Sequence, residues 1–317
     1  MVCSKRNRCV IHITILAITL CAVSALADDP DSIFLRGAQR PRPVLNIAHA
    51  GASSLAPQNT LAAGRKALQI GADLWGVDVR LSKDGIFVLM HDETLDRTTD
   101  VEDIFPQRTP WKVEDFTVSE LRQLDAGSWF VEIDPFGRIE SGEVSEADQH
   151  ACVGERIPTL MEALEFTREH DWRIDIEVKA TGSAPKEEAA HRLVTLIEQA
   201  EMQARVLVSS FDHELLAAVK RLDPDIPVAV LAIVAPRDPV EALEELGADV
   251  YGPSPVGFTP GLVARLGGLG FEVHLWTYND ADQLKRLAVM EGVSGIYTDF
   301  PQRLEPILDA LFGHIGN

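Results

Sequence analysis

The chain has 317 residues, 46% of them hydrophobic and 25% charged, with a formal net charge of -20 at pH 7. That length and apolar share suit one large α/β domain and exclude both a short disulfide-stapled scaffold and a chain too polar to form a core. The acidic balance excludes a nucleic-acid binder, since such a surface repels phosphate backbones and anionic membranes over a Debye length of about 8–10 Å.

The N-terminus is read first. Lys5, Arg6 and Arg8 precede the apolar run Val10 to Val23, and Ala25-Leu26-Ala27 precedes Asp28-Asp29. A basic head, a short apolar stretch and a small-residue exit predict a secretory signal peptide over residues 1–27, and so a periplasmic or secreted protein. His12, Thr14 and Thr19 interrupt the run, which falls short of the roughly 18–20 apolar residues of a membrane span, so no stable membrane insertion is expected after cleavage. Cys21 follows bulky Leu20 where a lipoprotein signal wants a small residue. Cleavage removes Cys3, Cys9 and Cys21 and leaves Cys152 alone, so burial, not a disulfide, has to hold the mature chain.

A polar, proline-bearing lead (28–43) gives way to alternating patterns. Short apolar runs predict strands at 44–48, 74–80, 173–178, 205–209, 228–232, 249–252, 272–276 and 295–298. Helical patterns fall between and after them, at 60–70, 160–170, 186–200, 213–222, 239–246, 260–269, 281–289 and 302–311. β-branched runs separated by helix-length segments indicate parallel strands covered by helices. Eight such units favour a (β/α)8 TIM barrel over 44–317 rather than an open doubly wound sheet. One stretch, about 95–156, breaks the rhythm and is expected to be a small insertion subdomain. Trp111, Phe116, Leu121, Leu124, Trp129 and Phe130 supply it with apolar material for a minor core.

In such a barrel the site gathers at the C-terminal ends of the strands. His49 follows the first strand, and His91 follows the extended stretch Ile86 to Met90. Two imidazoles at neighbouring strand mouths suit acid/base exchange near neutral pH. Asp78 and Glu177 lie within otherwise apolar strands, where a carboxylate is costly to bury without a cation. They are therefore candidate ligands of one shared divalent ion, Ca²⁺ or Mg²⁺ by the hardness of their oxygens. Lys179 shares a strand face with Glu177 and is expected to meet a phosphate oxygen. Trp276 is expected either as an apolar wall of the substrate pocket or as core. Asn59 is a substrate-binding candidate whose competing role is to cap the helix that starts near Thr60.

These residues fall into a recognisable order: His49-Ala50-Gly51, Pro57-Gln58-Asn59-Thr60, Gly76-Val77-Asp78, Asp84-Gly85, His91-Asp92 and Leu95-Asp96-Arg97-Thr98-Thr99. The order resembles the glycerophosphodiester phosphodiesterase family, whose pattern runs His-Arg-Gly, Pro-Glu-Asn-Thr, Glu-x-Asp, Asp-Gly, His-Asp and Leu-x-Arg-Thr-Thr. Ser209-Ser210-Phe211, Trp276-Thr277 and Gly295-Ile296-Tyr297-Thr298-Asp299-Phe300-Pro301 extend the resemblance to about residues 44–311. It implies metal-assisted hydrolysis of a small glycerophosphodiester to sn-glycerol 3-phosphate and an alcohol. It also implies a general base and a general acid at the positions of His49 and His91. Ala50, Gln58 and Gly76 depart from the pattern, removing an arginine and two glutamates, one of which holds the metal. A weaker metal site follows unless Gln58 or Asp73 supplies an oxygen. Two other readings stay open, a catalytically impaired relative that binds glycerophosphodiesters and a phospholipase acting on a lipid head group.

Overall fold

The computed structural model describes residues 42–313. The expected signal peptide, Cys3, Cys9, Cys21 and all but the end of the 28–43 lead lie outside the described residues. Nine strands are described: β1 (Leu45–Ala48), β2 (Leu74–Leu81), β3 (Phe87–Leu89), β4 (Ile174–Val178), β5 (Val206–Ser210), β6 (Val228–Ala232), β7 (Val250–Pro253), β8 (Glu272–Leu275) and β9 (Gly295–Thr298). β1 pairs in parallel with both β2 and β9. That double pairing closes eight parallel strands into a barrel with helices between them, as the alternating pattern predicts, and leaves β3 antiparallel on β2. Among the described residues no helix is long and apolar enough to cross a membrane.

Alternation along each strand decides what fills the barrel. Leu45, Ile47, Leu74, Leu207, Ala229, Val250 and Tyr297 form one buried cluster inside it. Two residues beyond Ile47 and Leu207 stand His49 and Ser209, four beyond Leu74 stands Asp78, and β4 sets Glu177 level with Asp78, all brought to the mouth by the same period of two. β2 is twice as long as β1, eight residues against four, and its outer half pairs with β3, with Val79 opposite Leu89. The returning strand leads straight into His91, above the end of β1. Two histidines 42 positions apart in sequence (49 and 91) thus reach one opening.

The chain between β3 and the helix Leu160–Glu169 holds only short helices. Trp111, Phe116, Leu121 and Leu124 pack in a cluster of their own with Leu95, Val101 and Val113. Trp129 and Phe130 do otherwise: they join the main cluster beneath the barrel's helices.

The outer face of β2 shows how tightly helix and sheet meet. Trp75 is fully buried, stacks on Trp172 with centroids 6.0 Å apart, and donates its indole N–H to Thr167 Oγ1 at 2.9 Å. A Cβ on Gly64 of the covering helix would come within 2.9 Å of that ring, so only glycine allows the approach. Trp75→Ala should therefore cost about 3–5 kcal/mol of stability by opening a large cavity. Urea unfolding is expected to show a lower midpoint with an unchanged slope.

Candidate active site

A cavity of about 230 Å³ opens at the C-terminal end of the barrel, and its lining includes His49, Asp78, His91, Glu177, Lys179 and Trp276. These are all of the expected site residues except Asn59. Each arrives by its own local route.

His49 begins a tight turn after β1. Gly51 takes φ +81° there, and a Cβ on it would meet Ala63 at 2.6 Å, which accounts for the glycine of the motif. His49 Nδ1 lies 2.7 Å from Asp299 Oδ1, just beyond β9. The Asp299 carboxylate also accepts from Ser53 Oγ at 3.0 Å and Asn279 Nδ2 at 2.6 Å. Burial raises the pKa of Asp299, but these hydrogen bonds, His49's foremost, outweigh it and hold the group below the usual carboxylate range. Burial likewise opposes a charged His49, yet the hydrogen bond to Asp299 and the charges of Asp299, Asp78 and Glu177 together raise its pKa above the ordinary value of 6.5.

His91 is built on the same plan. Its Nδ1 is 2.6 Å from Asp92 Oδ1, and Arg97 holds the other oxygen of that carboxylate. Arg80 Nε donates to the His91 carbonyl at 2.9 Å. A carboxylate at Nδ1 fixes a proton there and leaves Nε2 as the free nitrogen of each ring.

The carboxylates meet across the β2–β4 pair, where Asp78 stands level with Glu177. Lys179 N–H donates to Val79 O at 3.1 Å, which carries the ladder one residue past β4 and keeps Lys179 on Glu177's face. Its ammonium sits 2.9 Å from Asp78 Oδ1 and also pairs with Glu177 Oε1. One cation cannot fully serve two buried acids. Burial and the Asp78 charge push Glu177 up to about 7. Asp78 is buried too, but Lys179, both histidines and Asn59 hold it well below the usual range.

Asn59 departs from expectation. Thr60, not Asn59, caps the helix Leu61–Ile70 by accepting from the Ala63 amide. Asn59 Nδ2 donates to Asp78 Oδ2 at 2.7 Å, its Oδ1 accepts from the Asp78 amide at 2.9 Å, and it does not line the cavity. Both of its side-chain hydrogen bonds thus go to Asp78. Asp73 cannot restore an oxygen to the site, because it lies at the start of β2 and accepts from the Asn46 amide at 2.8 Å at the opposite end of the barrel. Gln58 lies off the cavity wall, 3.5 Å from Arg97 Nη1.

Deeper in the cavity is a group the motifs did not single out. Asp175 Oδ2 accepts from Tyr297 OH at 2.8 Å and Ser209 Oγ at 3.0 Å, while Oδ1 is buried without a hydrogen-bond partner among the described residues. Burial lifts its pKa to about 7 against the pull of those hydroxyls. On the far side the wall turns apolar: Trp276 donates to the Gly252 carbonyl at 2.7 Å and packs edge-on against Phe211 at 5.6 Å. A polar, charged half thus faces an apolar half.

The sequence profile of the glycerophosphoryl diester phosphodiesterase family matches residues 49–303, which spans every element of this site. The chain belongs to that family. It is 34% identical to a glycerophosphodiester phosphodiesterase of Caldanaerobacter subterraneus over 260 residues, 82% of this chain and 96% of that protein. The figure is again 34% for a glycerophosphodiester phosphodiesterase of Bacillus altitudinis, over 269 residues, 84% of this chain and 98% of that one. Its fold is similar to a phosphodiesterase of Oleispira antarctica solved with the product sn-glycerol-3-phosphate, with TM-score 0.70, 30% identity and coverage of 83% of this chain and 96% of that one.

Two departures from the family pattern lie in the cavity wall itself. Ala50 places a buried methyl where the pattern has arginine. Gly76 places no side chain at all where the pattern has a metal-binding glutamate, and the Tyr297 ring lies 3.4 Å from where its Cβ would be. Among the described residues no group of three or more His, Cys, Asp or Glu side chains is arranged to hold a metal ion. Asp78 and Glu177 remain, with Lys179 between them. With one of the pattern's carboxylates absent and Lys179 between the other two, this donor set does not fit the three-carboxylate site of the family pattern.

The His49–Asp299 contact has a direct test. In Asp299→Asn the negative charge that favours the imidazolium is lost and only a neutral amide acceptor can take its place, while burial remains, so the His49 pKa should fall. NMR titration of the ring is expected to give a midpoint above 6.5 in the wild type and a lower one in the variant.

Proposed function

We propose that the chain hydrolyses glycerophosphodiesters to sn-glycerol 3-phosphate and a free alcohol, with the two carboxylate-anchored histidines exchanging protons across the cavity. The observation that carries this is the matched pair His49–Asp299 and His91–Asp92 facing one opening that also holds Lys179. Membership of the family and the product-bound Oleispira relative support the choice of substrate.

In this reading the diester lies with a non-bridging phosphate oxygen on the Lys179 ammonium and its carbon portion against Trp276 and Phe211. His91 Nε2 takes a proton from water as that water attacks phosphorus. His49, whose raised pKa favours the imidazolium, gives its Nε2 proton to the departing alcohol oxygen as the P–O bond breaks. This assignment reverses the base and acid order that the resemblance implies. The proton gained by His91 and the one lost by His49 balance through solvent before the next turn. Asp299 and Asp92 orient the rings, and Asn59 and Lys179 hold Asp78.

Export is part of the proposal. It is supported by the basic, apolar and small-residue order of residues 1–27. A buried free Cys152, whose thiol burial pushes up to about 11, would be inert in an oxidising compartment. The missing arginine at Ala50 favours a second reading, a relative that binds the diester without turning it over.

His49→Ala and His91→Ala should each lower the rate of glycerol 3-phosphate release from glycerophosphocholine by about 10²–10⁴. Circular dichroism is expected to show both variants folded. Near-normal turnover in either one removes that histidine from the mechanism, and binding without turnover by the wild type establishes the second reading. In the wild type the rate should decline as pH rises through the raised pKa of His49, because the acid is then lost.

A further inference from the structure

We propose that the Lys179 ammonium holds the seat between Asp78 and Glu177 that a divalent cation takes in the family pattern, so that this chain works without such an ion. The claim about catalysis rests on the function proposed above, whereas the claim about the seat stands apart from it.

Three observations lead here. The first is the account of the oxygens. Asp78 Oδ1 faces Lys179 Nζ at 2.9 Å, Asp78 Oδ2 accepts from Asn59 at 2.7 Å, and Glu177 Oε1 pairs with Lys179. Of the four carboxylate oxygens, only Glu177 Oε2 is left without a role in this set. A hard cation gathers about six to eight oxygens and depends on its anionic ones for affinity.

The second is position 76. The register places Gly76 beside Asp175, one layer below Asp78 and Glu177. The Tyr297 ring covers that glycine and its hydroxyl is tied to Asp175 Oδ2 at 2.8 Å. The position from which the pattern's third carboxylate would reach the ion therefore carries no side chain here, and the Tyr297 ring packs against it at ordinary contact distance. Asp175 lies in that same lower layer, with Oδ2 accepting from Tyr297 and Ser209 and Oδ1 unpartnered among the described residues, so it stands below the seat between Asp78 and Glu177 rather than in it.

The third is charge. The one lysine or arginine in the cavity lining is Lys179, and it is already placed within hydrogen-bond reach of both acids. A divalent ion entering between Asp78 and Glu177 would stand against that ammonium and be repelled by it. An ammonium in the same place neutralises the acids, keeps donors for a phosphate oxygen, and needs no ion from solution.

Calorimetric titration of Ca²⁺, and separately of Mg²⁺, into the full chain purified through chelator tests the seat. The wild type is expected to show no saturable binding with a midpoint below about 1 mM, and Lys179→Met to gain one ion with a midpoint at least about tenfold below that limit, since the two acids then lack a cation. Lys179→Gln takes its place if circular dichroism shows the methionine variant unfolded. A wild type that binds one ion with a midpoint below about 1 mM, the weak end of protein calcium sites, and loses it in Asp78→Asn overturns the proposal. So does a folded Lys179 variant that gains no binding. Release of glycerol 3-phosphate in chelator is expected to match that with either ion to within about twofold, whereas a rate that depends on added ion contradicts ion-free catalysis. Absence of hydrolysis in every buffer counts against the proposed function, and the titration still decides the seat.

Discussion

The parallel register of β2 against β4 sets Asp78 level with Glu177, and much of the site follows from that constraint. Two carboxylates facing the interior of a barrel cannot remain there uncompensated, because burial of an unpaired charge is costly. The ladder itself supplies the compensation. One more residue of pairing carries Lys179 onto the same face, and its ammonium spans both acids. Asn59, brought in by the loop after β1, completes the coordination of Asp78 from the other side. The polar half of the cavity is thus a consequence of strand pairing, and the histidines are set around it.

The barrel closure supplies the rest. Because β1 pairs with both β2 and β9, the residues that follow β1 and β9 are neighbours at the mouth, and His49 meets Asp299 across 250 positions of sequence (49 and 299). The extra length of β2 recruits β3 and with it His91, whose own neighbour Asp92 plays the part that Asp299 plays for His49. One acid is local and the other remote, yet the two rings are held in equivalent ways.

This difference explains what was legible in the sequence. The eight strand and helix units could be read because their apolar period is local, and they were matched to within a residue or two. His49, His91, Asp78, Glu177 and Lys179 could be read because each sits at a strand end or in an apolar strand where its presence is costly. Asp299 was quoted only as part of the Thr298-Asp299 landmark, since nothing near it in sequence shows that it faces His49. A signal existed, for the last strand of a closed barrel must lie beside the first. The local sequence offers Asn59 only a substrate contact or a helix cap, because its bond to Asp78 spans 19 positions. Asp175 carries the same mark as Glu177, a carboxylate in an apolar strand, but its partner Tyr297 lies 122 positions away, so nothing local shows what that carboxylate meets.

The central claim is that water attacks the phosphorus of a glycerophosphodiester in this cavity and the alcohol leaves by P–O cleavage. Hydrolysis of glycerophosphocholine in ¹⁸O-labelled water, followed by phosphorus NMR, tests it most directly. The account predicts glycerol 3-phosphate whose resonance carries the shift of one ¹⁸O bound to phosphorus, with unlabelled choline beside it. Label in the choline hydroxyl, or a phosphate product without label, would contradict it.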